Sequence, residues 1–162
     1  KVSRKSTWEF AQETLARPLG FSLAQWPRDP QGLHFGGNEM LLTMRQMIAF
    51  GELYLHRGRA NGREIVPAAW VDASFVPRTR STFSDQVYGY GWWIREMAGV
   101  RTYLAWGFGG QFIFVIPDLD LVIASASAST ASEDRRSHRR TVDDLIERLV
   151  IAPIRAATAS GP

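Results

Sequence analysis

Hydrophobic and polar positions alternate most clearly between Tyr88 and Ala128, in the stretch YGYGWWIREMAGVRTYLAWGFGGQFIFVIPDLDLVIASASA. The apolar runs Gln111–Ile116 and Leu121–Ala126 are separated by Pro117-Asp118-Leu119-Asp120. There Pro fixes φ and lacks a donor, and Asp can bond its own backbone, so a hairpin is predicted. Upstream, the aromatic-rich runs Tyr88–Arg95 and Thr102–Trp106 are parted by Ala98-Gly99, which predicts a second reversal. The stretch therefore reads as three or four strands in an antiparallel meander.

The flanking segments carry helical periodicity. Ser6-Thr7-Trp8-Glu9 has capping-box spacing and predicts a helix whose apolar face is Phe10, Ala11, Thr14 and Leu15, closed by Pro18 and Gly20. From Phe21 to Gly37 the density of Pro and Gly predicts a long ordered loop, with Trp26 and Phe35 seeking burial. Thr43-Met44-Arg45-Gln46 is a second capping box, followed by Met47, Ile48, Phe50, Leu53, Tyr54 and Leu55 on one side of a helix that Arg57 and Gly58 end. Asn61-Gly62 predicts a tight turn, Glu64-Ile65-Val66 a short extended piece, and Pro67 the first position of a helix over Ala68–Ser74. Val76–Gln86 is polar and predicts an exposed loop. After the strands, Thr141 is placed to cap a last helix with the stripe Val142, Leu145, Ile146, Leu149 and Val150, and Pro153 to stop it. Helices, then strands, then a helix predict an α+β fold, an antiparallel sheet covered by helices.

Composition narrows the classes. The 162 residues suit a single domain able to bury a core, and 45% hydrophobic with 22% charged residues is ordinary for a globular protein. No apolar run reaches the roughly 18 residues of a membrane helix, so no membrane span is expected. The absence of cysteine excludes disulfides and thiolate sites. The net charge of +3 owes much to Arg135, Arg136, Arg139 and Arg140, a run that reads as a solvated loop before a helix. Without a docking motif it gives no reason to expect nucleic acid as a partner. His34, His56 and His138 have no metal-ligand spacing, so no metal is expected. There is no GxxxxGK[ST] phosphate loop and no G-x-S-x-G elbow, and GFGG lies between strands rather than opening a helix, so no cofactor is expected.

The candidate chemistry lies at Trp106-Gly107-Phe108-Gly109-Gly110-Gln111. Three glycines in four residues pack nothing in a strand; they mark a bulge or a place where a ligand approaches the backbone. Trp92, Trp93, Trp106 and Tyr90 read first as core aromatics of alternating strands, with Trp106 the best candidate for a pocket wall.

These residues carry a family resemblance. PLGF at Pro18–Phe21, FGGNEMLLTMRQMIAFGELYLHRGRANGREIVPAAWV at Phe35–Val71, YGYGWW at Tyr88–Trp93 and GFGGQFIFVIPDLDLVIA at Gly107–Ala124 are collinear with the C-terminal part of the serine β-lactamase-related hydrolases. That superfamily includes class C β-lactamases, penicillin-binding proteins, esterases of the same fold and 6-aminohexanoate-oligomer hydrolases. The resemblance implies a partial β-lactamase/transpeptidase-like fold and cleavage of a small-molecule ester, amide or β-lactam bond through an acyl-enzyme. It also slightly favours a periplasmic or extracellular setting.

In such proteins a Ser-x-x-Lys nucleophile and a Tyr-x-Asn element come earlier, and a strand with a Lys/His-Thr/Ser-Gly motif closes the far wall. Only the wall is expected here. Lys1 and Lys5 do not stand three after a serine, and neither Tyr54, Tyr88, Tyr90 nor Tyr103 has asparagine two residues on. Aligned on Gly107, the third motif carries Ala105 and Trp106 where a cation and a hydroxyl are usual. The resemblance implies that the Phe108 main-chain N–H is the oxyanion donor, and that Trp106, Gly107, Gly109, Gly110, Gln111 and Tyr90 meet substrate. The chain is thus expected to be one domain over 1–162, the C-terminal fragment of a hydrolase domain and inactive alone. It would be completed by an N-terminal segment or by pairing with a second copy. The alternative expectation is a non-catalytic module of the same ancestry that binds a peptide or cell-wall fragment along a strand edge.

Overall fold

The computed structural model describes residues 3–82, 84–128 and 135–159. The chain opens with α1 (Thr7–Ala11), which widens into a π-turn over Gln12–Ala16. Next come α2 (Met44–Leu55), the two-stranded hairpin β1 (Arg59–Ala60) and β2 (Arg63–Glu64), and α3 (Ala68–Ser74). The sheet strands are β3 (Thr79–Arg80), β4 (Val87–Tyr88), β5 (Trp93–Met97), β6 (Val100–Gly107), β7 (Gln111–Ile116) and β8 (Leu121–Ser125). Helix α4 (Arg135–Ile146), a second π-turn (Glu147–Ile151) and α5 (Ala152–Ala159) complete it.

Strands β3 to β8 form one six-stranded antiparallel sheet in chain order. Because side chains alternate across a strand, β7 serves both faces. Phe112, Phe114 and Ile116 pack with Leu104, Ile146 and Ile151 beneath the C-terminal helix. Ile113 and Val115 pack with Met47, Tyr54, Val71 and Trp92 beneath α2 and α3. The result is a helix–sheet–helix sandwich, α+β as the pattern predicts. Both capping boxes form: the Ser6 hydroxyl accepts from the Glu9 N–H and that of Thr43 from the Gln46 N–H, and the N3 side chains reciprocate.

Several expectations are corrected. Tyr88–Arg95 is not one strand but β4 and β5 around a bend, because Gly89 lies so close to α3 that a Cβ would sit 2.1 Å from the Ser74 carbonyl oxygen. That carbonyl accepts from the Tyr90 N–H at 3.0 Å, which pins the bend. The buried face of the first helix holds Gln12 and Ala16, not Phe10 and Thr14, which are exposed. Gln12 is buried because its amide replaces water: Oε1 accepts from the Leu23 N–H at 2.7 Å. In the following loop Trp26 is buried, donating its indole N–H to the Phe35 carbonyl, while the Phe35 ring stays exposed. Pro67 is the N-cap of α3 rather than its first residue, and the polar segment after α3 contributes β3 to the sheet edge.

The last helix also differs. It already includes Arg135, so Thr141 is interior and its hydroxyl bonds back to the Ser137 carbonyl at 3.0 Å. Pro153 does not stop it, because the π-turn just before it shifts the ladder and places the missing N–H in the first turn of α5. The predicted stripe is not one buried face: Ile146 and Ile151 are buried, and Leu145 and Leu149 face out. Part of the small polar segment before this helix lies outside the described residues.

Candidate functional site

Strand β6 is internal to the sheet, not an edge. Its pairing with β5 stops at Trp93↔Leu104, while its pairing with β7 continues to Gly107↔Gln111. Ala105, Trp106 and Gly107 therefore run past the end of β5, and a cleft of about 540 Å³ opens there. Its sheet wall holds Trp93, Ala105, Trp106, Gly107 and Gln111, and its opposite wall holds Met40, Leu41 and Leu42 from the segment before α2.

Trp106 is 38% exposed, with its ring 5.8 Å from that of Trp93 and 6.4 Å from that of Phe112. The Gln111 side-chain amide donates to the Ser127 carbonyl at 2.5 Å, which holds the strand just after the loop. The loop itself is Phe108, Gly109 and Gly110. Gly109 and Gly110 have φ of 77° and 91°, which only glycine adopts without strain, and a Cβ on Gly107 would press on the Gln111 Cβ at 3.0 Å. Backbone geometry alone thus accounts for the three glycines.

The structure brings Trp106, Gly107 and Gln111 into one wall and leaves Phe108, Gly109 and Gly110 at the hairpin tip. Tyr90 does not line the cleft, although Tyr88 and Gly91 of the same β4–β5 bend do; its ring is stacked 5.5 Å from Trp70 with the Arg78 guanidinium 4.7 Å over it. A larger hollow of about 710 Å³ beside the β1–β2 hairpin, lined by His56, Arg59 and Glu64 among others, shares no residue with the cleft.

Sequence reasoning missed one neighbour of the Trp106 ring. Arg139, assigned to a solvated loop, is in the second turn of α4 with its guanidinium carbon 4.5 Å from the centroid of the Trp106 ring. The signal was present, since Arg136, Arg139 and Arg140 share helical spacing, but it is visible only once the helix is started at Arg135.

A sheet covered on both faces, with a cleft at the end of one internal strand, is an α+β architecture. Residues 1–147 match the Beta-lactamase family, and the chain belongs to it. Among solved structures it is similar to the octameric penicillin-binding protein homologue from Pyrococcus abyssi, at 16% identity and a TM-score of 0.66 over 93% of this chain and 39% of that one. A Caulobacter crescentus penicillin-binding protein homologue matches at 15% identity and a TM-score of 0.58, over 90% of this chain and 54% of that one. A Bacillus anthracis protein described as a 6-aminohexanoate-dimer hydrolase matches at 22% identity and a TM-score of 0.57, over 78% of this chain and 34% of that one. These identities speak for the fold, and this chain spans well under two thirds of each structure. No curated protein sequence matches it significantly.

Proposed function

We propose that this chain supplies the substrate-facing wall of a serine hydrolase that cleaves an ester, amide or β-lactam bond through an acyl-enzyme. The observation that carries the reading is the cleft where β6 outruns β5, walled by Trp106, Gly107 and Gln111, in a chain of the Beta-lactamase family. In this reading the Phe108 main-chain N–H, one residue beyond Gly107, faces the developing oxyanion, and the apolar walls hold the acyl group. A single such donor is worth about 10²–10³ in rate, which requires a rigid strand end. The Gln111–Ser127 bond and the full β6–β7 register support that rigidity. The nucleophile and its base come from residues outside these 162, since no Ser-x-x-Lys or Tyr-x-Asn occurs in them.

The test is labelling with a serine-directed fluorophosphonate. The purified 162 residues are expected to remain unlabelled, whereas the product of the full reading frame is expected to carry one labelled serine upstream of Lys1. Stoichiometric labelling of a serine within the 162 residues overturns the division of labour. A full reading frame without Ser-x-x-Lys overturns the hydrolase reading in favour of a binding module. We also propose that exposed apolar side chains such as Leu33, Leu41 and Leu149 are covered by a second copy when the chain is alone. Light scattering is then expected to give a mass above the 18.2 kDa of one chain, and a monomer would refute it.

A further inference from the structure

Among the described residues, none that lines the β6 cleft carries a charge. Its walls include the side chains of Met40, Leu42, Met47, Tyr88, Trp93 and Trp106. Three of the rings lean on one another along the sheet: Tyr88 stands 4.6 Å from Trp93, and Trp93 5.8 Å from Trp106. Met40 and Met47 bring unbranched thioethers, which adapt to the shape of whatever enters. The polar side chains of the lining are the Tyr88 hydroxyl and the Gln111 amide, and the amide already donates to the Ser127 carbonyl at 2.5 Å.

Such a lining discriminates by charge more than by shape. An anion would exchange water for the negative faces of aromatic rings, with one uncommitted side-chain donor to receive it. A cation is attracted to such faces, but the Arg139 guanidinium already lies on the Trp106 ring, 4.5 Å from its centroid, and sets a like charge beside the wall. Arg139 is outside the lining, so it gives an anion within the cleft no direct partner. An uncharged hydrocarbon group gives up little on leaving water and is buried against every wall. The volume of about 540 Å³ is in the range of small-molecule sites.

We infer that the group this cleft selects is uncharged and apolar, an aryl or alkyl moiety, and that a charge of either sign on it is selected against. Calling that group the acyl part of a substrate rests on the hydrolase reading; the charge preference itself does not.

The inference can be tested by titrating the 15N-labelled chain with benzamide, benzoate and benzamidinium, which share one planar shape and differ in charge. The signals followed are the indole N–H groups of Trp93, Trp106 and Trp70, each assigned through its Trp→Phe variant. Benzamide is expected to shift Trp93 and Trp106 saturably, to leave Trp70 unmoved, and to bind at least about ten-fold more tightly than either ion. Met40 is 44% exposed, so a charge can be placed on the cleft wall there without opening the core. Met40→Lys is expected to raise the affinity for benzoate relative to benzamide, and Met40→Glu that for benzamidinium. A preference for benzamide smaller than this, no perturbation of Trp93 and Trp106 by millimolar benzamide, or ratios that neither Met40 variant moves would each overturn the inference. The comparison in the unaltered chain needs no variant to fold. No serine chemistry enters it, so a failed fluorophosphonate result and a failed charge preference are separate outcomes.

Discussion

Gly51, in the middle of α2, faces the sheet so closely that a Cβ there would lie 2.5 Å from Val122 Cγ1 and 2.9 Å from Ile113 Cγ2. Alanine would raise helix propensity by about 1 kcal/mol. Val122 and Ile113 are β-branched and backed by the sheet, so overpacking of about 1–3 kcal/mol should outweigh that gain. Gly51→Ala is expected to lower the urea midpoint, and the same change in a Val122→Ala background to raise it. A second residue-scale effect depends on pH. The Ser6 backbone N–H, and after it the Ser6 hydroxyl, hold the Glu9 carboxyl below its ordinary value of 4.5. A carboxyl lowered on folding stabilises fully above its unfolded value, and that contribution disappears as pH falls through the lowered folded value. Carbon-detected titration should therefore place the Glu9 midpoint below 4.5, and Ser6→Ala should move it part of the way back.

At the scale of elements, the C-terminal helix is fastened to the β5–β6 turn by polar contacts. Ala98 donates its N–H to Glu147 at 2.5 Å and accepts from Arg155 at 2.6 Å, while Asp143 clamps Arg95. The π-turn over Glu147–Ile151 sets the phase that brings Glu147 and Arg155 to the same residue, Ala98. Glu147→Gln retains the acceptor and is expected to change stability little. Glu147→Ala leaves the Ala98 N–H without its partner and is expected to cost about 1–3 kcal/mol by chemical denaturation. Equal effects of the two changes would mean that the contact is idle.

For the whole molecule, β7 is the shared wall of both cores, so the helix layers should not unfold separately. Phe114, fully buried beneath the C-terminal helix, tests this. Phe114→Ala is expected to remove about 3–5 kcal/mol, much of the 5–15 kcal/mol that a native domain commonly has. Calorimetry should show one transition at a lower temperature. Two separated transitions would show that the layers on either face are independent.

The meander, the two capping boxes and the α+β class could be read from the chain because each is set by neighbours two to four residues apart: side-chain alternation, cap spacing and turn residues. Helix phase could not be read wherever a polar side chain is buried or a π-turn intervenes. Gln12 satisfies its amide against a loop eleven residues on, and the Glu147–Ile151 turn lets the helix pass Pro153. The Trp106–Gln111 stretch was recognisable as unusual from its glycines, and its family from collinear motifs. That β6 is internal, that it outruns β5 to open a cleft, that the Tyr90 ring stacks on Trp70 and that Arg139 lies over Trp106 follow from strand register and helix placement. Those depend on contacts between residues distant in the chain, which no local pattern encodes.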